Sequence, residues 1–353
     1  MVKIKNDNYK TRILSLDALR ILFCITIVLN HCVFLKQQEE GKYIYEKIFH
    51  NGAFGVTFFF LVSAFLTYRI YSESGIKNVY TFLKKNVSKF YILYMVTHIV
   101  VATYLVINGA SIIKTMLKLL LAATLMQSMT IVGATILNGA CWYLSTLTVL
   151  YFFTPFIIHF VKSLNKKQVY GYSILMIAII FCIHFLVNIL TGNIISSQIA
   201  INLTYTFPIY WIPAYTLGML ANRWSFPDKV NSTVIEVICV IVGIVVYLLG
   251  INGPDFIIEY RNLAYVICIL PIIYFFSKEE GIISRSLAKS KTTKIVSLTM
   301  EVYMIHYVVI ICTADILERM SSTLVGGAFC VVIVFVITIM FSAVWKKFYR
   351  KIC

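Results

Sequence analysis

The chain has 353 residues, of which 60% are hydrophobic and only 13% charged. A mean hydropathy of +0.85 leaves too little polar surface to cover a water-soluble globule, which excludes a soluble fold. The formal charge of +16 is interspersed between apolar stretches rather than gathered in a nucleic-acid-binding face, so no nucleic acid is expected as a partner.

A basic leader, 1–12, carries Lys3, Lys5, Lys10 and Arg12 and runs into the first apolar stretch. That stretch is too long for a signal peptide and lacks a small-residue cleavage pattern, so it reads as a retained span. Counting that one, ten such stretches run from end to end: 13–35, 53–71, 90–108, 141–161, 172–190, 205–221, 232–251, 262–277, 295–317 and 323–345. Each is near the length that crosses about 30 Å of hydrocarbon. With the amino terminus inside, the outer segments hold only Lys36, Lys42, Lys47, Lys114, Lys118, Arg261 and Arg319, while most other Lys and Arg fall inside, including the basic tail at 346–353. This bias predicts an all-α, polytopic integral membrane protein of about ten transmembrane helices, both termini cytoplasmic, in one domain spanning 1–353. The same positive charges are placed to meet anionic membrane lipid.

Between the third and fourth spans, 109–140 is apolar but broken by Lys114, Lys118, Gln127 and Gly133. It reads as an interfacial or re-entrant segment. Trp142, Tyr143, Trp211 and Trp345 fall at span ends, where aromatic belts are expected. Pro208 and Pro213 read as interruptions of the sixth span. The nine cysteines share no metal-ligand spacing and read as small core residues, so neither a disulfide framework nor a metal site is implied.

Arg20 stands inside the first span, and His31 follows eleven residues later. Eleven helical residues turn through about three turns and 20°, which puts both side chains on one face about 16 Å apart along the axis. An ionisable group in hydrocarbon is expensive and points by default to a functional site. Asp17 shares that face and either orients the Arg20 guanidinium or forms a plain buried pair with it. In the ninth span Glu301 and His306 are too far out of phase to form a dyad; Glu301 is either a substrate contact or a partner of Arg20 or Lys89. Tyr303 and His306 share a face and are placed to line an acceptor path. Ser63 lacks the glycines of a nucleophile elbow and is expected at most to contact substrate. Gly52 and Gly55 read as packing positions, His98, His159 and His184 as structural and His50 as a loop residue.

RILSLDALRILFCITIVLNHC (12–32) and GAFGVTFFFLVSAFL (52–66) are similar to the first and second spans of membrane acyltransferase family 3, bacterial proteins that O-acetylate surface polysaccharides and peptidoglycan. CWYLSTLTVLYFFTPFI (141–157) and VYMIHYVVI (302–310) resemble later spans, through Trp142 and the Tyr303-x-x-His306 pattern. The chain departs from the family at Ala64, where Gly is usual, and at KKNVSKFYILY (84–94), where Asn86, Lys89 and Ile92 replace an Arg-x-x-Arg pair and a proline.

The resemblance implies a bacterial cell membrane O-acyltransferase, with no cofactor permanently bound. It would move acetyl from cytoplasmic acetyl-CoA to a hydroxyl of a cell-surface polysaccharide or its lipid-linked precursor. His31 would be the catalytic base or nucleophile, assisted by Arg20 and Asp17. Arg20, Lys85 and Lys89 would hold the donor's phosphates, the lysines only as point charges. Trp142, Ser63, Glu301, Tyr303 and His306 would face the glycan acceptor. A separate extracytoplasmic transferase is a conceivable partner, because no soluble domain follows the tenth span. The alternative reading is an amino-acid or other small-molecule transporter or flippase on the same fold.

Overall fold

The computed structural model describes residues 12–130, 134–192, 194–225, 231–289 and 293–352, without the side chains of 293–294 and 351–352. The leader up to residue 11, Gly133, Lys229, Lys291 and Cys353 lie outside the described residues. Eleven principal helices carry the architecture. They are α1 (Leu14–Asn30), α2 (Gly52–Tyr71), α3 (Val79–Ile107), α4 (Ile112–Ala123), α5 (Trp142–Ser163) and α6 (Lys166–Leu190). They continue with α7 (Pro208–Leu220), α8 (Ser232–Asn252), α9 (Arg261–Phe276), α10 (Thr299–Cys312) and α11 (Leu324–Ile352).

Each of the ten predicted stretches overlaps one of these helices, three of which, α3, α6 and α11, run several residues beyond it, and the protein is a multi-pass membrane protein. Among the described residues, six helices are long and apolar enough to cross a membrane, or seven if α10 and Ala314–Met320, bent by 73°, make one span. The difference from ten lies in α1, α7 and α9, which have 17, 13 and 16 residues. At 1.5 Å per residue these helices extend about 26, 20 and 24 Å.

Helix α2 is apolar all round and buried on nearly every side, as such a helix should be at a bundle's centre. Two close approaches seat it. A Cβ on Gly55 would stand 2.6 Å from the Phe23 carbonyl oxygen of α1, and one on Gly218 of α7 would stand 2.7 Å from that of Leu61. Backbone contact of this kind needs residues without side chains. At the periphery, α6, α8 and α11 turn large apolar side chains outward, among them Phe185, Ile241 and Phe341, which suits a solvent of lipid tails.

Three expectations are corrected. Trp142, Tyr143 and Trp211 are buried in the core rather than set in an outer belt, and the indole of Trp211 donates to the Tyr205 carbonyl. Pro208 starts α7 at its first turn, where the missing N–H costs nothing, and Pro213 lies within the helix, so neither breaks it. Glu301 meets Lys346 at 4.0 Å rather than Arg20 or Lys89.

Helix α4 folds back along α3: the hydroxyls of Tyr91 and Tyr94 donate to the carbonyls of Ala123 and Ala122 at 2.7 and 2.9 Å. The chain then passes Gln127 and Ser128, both buried, on its way to α5. Leu125 (φ 56°) and Leu137 (φ 50°) adopt left-handed backbone here, a costly conformation for a branched side chain. At the end of the bundle where α1 begins, the buried Glu236 of α8 accepts backbone N–H groups of Gly281, Ile283 and Ser284 at 3.0–3.1 Å. Glu279 of the same loop accepts the Ser15 N–H of α1 at 2.9 Å.

Candidate active site

One stripe of α1 faces α10. Arg20, Ile27 and His31 occupy it, and between them Cys24 reaches the Thr299 carbonyl at 3.7 Å. The Arg20 guanidinium donates to Asp17 Oδ1 at 2.9 Å, while Arg12 donates to Asp17 Oδ2 at 2.6 Å. Asp17 is 5% exposed and bridges two cations, so the pair predicted from sequence is a triad. The free edge of Arg20 lines a cavity of about 360 Å³ enclosed by α1, α2, α3, α5 and α10.

The cavity is basic and amide-lined near Arg20, where Asn86 and Lys89 of α3 join it through a 2.9 Å hydrogen bond of their own. Its middle is lined by Ser63, Tyr143 and Tyr151, with the Ser63 and Tyr151 hydroxyls 3.5 Å apart. Ile27 and Tyr303 lie on the wall nearest His31. The Tyr303 hydroxyl donates to the Ala140 carbonyl, which fixes that wall against the segment before α5.

One turn beyond Ile27, His31 sits at the carboxyl end of α1, with its ring centroid 5.2 Å from that of His306 and 5.0 Å from that of Tyr307. His306 is fully buried. Asn138 donates to the Met304 carbonyl at 2.8 Å, and its Oδ1 is buried without a partner.

The sequence-predicted residues divide accordingly. Arg20, Ser63, Lys89 and Tyr303 line one cavity, with Asp17 behind Arg20 and the His31–His306 pair one turn away. Lys85 turns toward the Tyr71 hydroxyl at 3.5 Å and is not a lining residue. Trp142 packs on Tyr205 and Phe60, beside the lining Tyr143. Glu301 keeps its Oε2 buried and unpartnered. His184 bonds the Tyr210 hydroxyl at 2.8 Å, a structural role. Sequence reasoning missed Asn86, Tyr143 and Tyr151. The signal for the two tyrosines was their spacing of eight residues, about 80° past two turns, which keeps both within one broad face of α5.

Residues 13–344, nearly the whole chain, match the family model described as an acyltransferase domain. The chain belongs to membrane acyltransferase family 3. No curated protein and no solved structure matches it. In this acyltransferase, Val56, Phe59 and Ser63 of the second string, Tyr143 and Tyr151 of the third, and Tyr303 of the last all reach the one cavity that Arg20 enters from the first. Strings far apart in the chain therefore converge on one volume.

Proposed function

We propose that the protein is an O-acetyltransferase of the bacterial cell membrane that moves acetyl from cytoplasmic acetyl-CoA to a hydroxyl of a cell-surface polysaccharide or its lipid-linked precursor. The observation that carries this reading is a cavity that Arg20 lines from α1 and whose Ile27 and Tyr303 wall stands one helical turn from an imidazole pair. A volume of about 360 Å³ suits a slender thioester arm, with the nucleotide left outside near Arg20 and Lys89. Arg20 supplies two-pronged donation to a phosphate or amide oxygen, and Lys89 adds a point charge. In the reaction, His31 accepts the proton of the acceptor hydroxyl as the new oxygen–carbonyl-carbon bond forms. The carbon–sulfur bond then breaks, and the proton passes from His31 to the departing thiolate. A separate extracytoplasmic transferase that finishes delivery to the glycan is compatible with the same chemistry.

The test is transfer of labelled acetyl from acetyl-CoA to glycan acceptors by the protein in nanodiscs, beside His31→Ala and Arg20→Ala. Wild type is expected to transfer acetyl, and His31→Ala to lose at least about 100-fold. Undiminished transfer in His31→Ala overturns the assignment. Substrate flux across proteoliposomes with no acetyl-CoA consumption favours the transporter reading instead.

A further inference from the structure

His306 holds a feature that the acyl-transfer scheme leaves unused. Its Nδ1 lies 3.1 Å from the Val302 carbonyl oxygen, which can only accept, so Nδ1 carries the hydrogen and Nε2 is left as a lone-pair acceptor. That Nε2 is buried without a hydrogen-bond partner in a residue with 0% exposure. A buried acceptor left unpaired is expensive, and such orphans call for an explanation. Of the rings around His306, that of His31 is the nearest, at a centroid separation of 5.2 Å and a 45° tilt, and the two are not hydrogen-bonded as they stand. Two imidazoles joined by one N–H···N bond have centroids about 5 Å apart, so at this spacing a turn of the rings, with no movement of the helices, is enough to form it. Tyr307 stands edge-on to His31 at 5.0 Å and is itself backed by Gly139, where a Cβ would come within 2.9 Å of the tyrosine hydroxyl.

We infer that His306 is the positioning partner of His31: its Nε2 accepts the N–H of one His31 nitrogen and so turns the lone pair of the other toward the acceptor hydroxyl. This rests on the acyl-transfer reading above. A backbone carbonyl sets the tautomer of His306, His306 sets that of His31, and His31 meets the substrate. The role matches that of the orienting group in a nucleophile–base–orienter relay, with a neutral ring in place of a carboxylate. When His31 takes up the hydroxyl proton, the bond to His306 becomes charge-assisted and stabilises the imidazolium.

The decisive variants are His306→Leu and His306→Gln, since a glutamine places an acceptor oxygen near the position of Nε2 and leucine places none. In nanodiscs, His306→Leu is expected to lower kcat about 100-fold with the KM for acetyl-CoA unchanged, and His306→Gln to recover to within about tenfold of wild type. Equal losses in the two variants, or full activity in His306→Leu, overturn the inference. A second measurement needs neither turnover nor a variant that folds. In wild type with nitrogen-15-labelled histidine, coupling across an N–H···N bond between His31 and His306 is expected. Resolved signals for both rings without that coupling also overturn it. If wild type shows the coupling but transfers no acetyl, the acyl-transfer reading fails while the histidine contact stands.

Discussion

Asp17 is the residue on which the Arg20 end of the cavity turns, because one buried carboxylate serves two guanidinium groups. Asp17→Asn keeps the shape but removes the charge, so Arg20 loses the partner that aims it. The KM for acetyl-CoA is expected to rise about tenfold, with a fall of about 1–3 kcal/mol in stability, read from donor titrations and thermal unfolding. Arg20→Lys retains the charge and loses the fork; donor KM is expected to rise by a similar factor with kcat within a few-fold of wild type. An equal fall in kcat would place Arg20 at the reacting atoms instead. At this scale the sequence was informative where periodicity sufficed: Arg20 and His31 do share a stripe, because eleven residues is close to three helical turns. His31 and His306 are far apart in the chain, and no local pattern announces a tertiary contact between two histidines. Glu301 shows the converse, since its charge was visible in the sequence but its partner Lys346 lies on another helix.

Among elements, α1 and α2 meet across a close backbone seam. A methyl group on Gly55 would meet the Phe23 carbonyl oxygen and the Thr26 hydroxyl at 2.6 and 2.7 Å, and a backbone atom cannot swing aside as a side-chain tip can. Gly55→Ala is therefore expected to destabilise the protein by about 1–3 kcal/mol and to move the Arg20 stripe relative to Ser63, lowering both melting temperature and transfer rate. An unchanged melting temperature would mean that the two helices separate freely. The apolar runs were legible as helices because hydrocarbon-length stretches leave few alternatives. The three corrected aromatic positions were not, since an aromatic near a span's end looks the same in sequence whether it faces lipid or a neighbouring helix. The burial of Gln127, Ser128 and Asn138 depends on tertiary partners such as Tyr94, Ser145 and Met304, which composition does not reveal.

For the whole molecule, the charge bias and the lipid-facing helices lead to one topology. With native cysteines removed, Lys42→Cys is expected to react with a membrane-impermeant maleimide added outside intact cells, and Lys77→Cys only after permeabilisation. The opposite pattern would invert the molecule and put Arg20 on the outer side, away from any cytoplasmic donor. The grip of Glu236 on three main-chain amides carries a different implication. Recognition there is of peptide groups, so exchanges at exposed neighbours such as Ser286 and Lys289 leave the fastening indifferent to their identity. Glu236→Gln is a different matter, because its amide turns hydrogens toward hydrogens, and Gly281 has no room for a larger residue against the carboxylate. A stretch free to drift in spelling is thus moored at two letters, and through Glu279 and Ser15 the mooring extends to the root of the helix that carries Arg20.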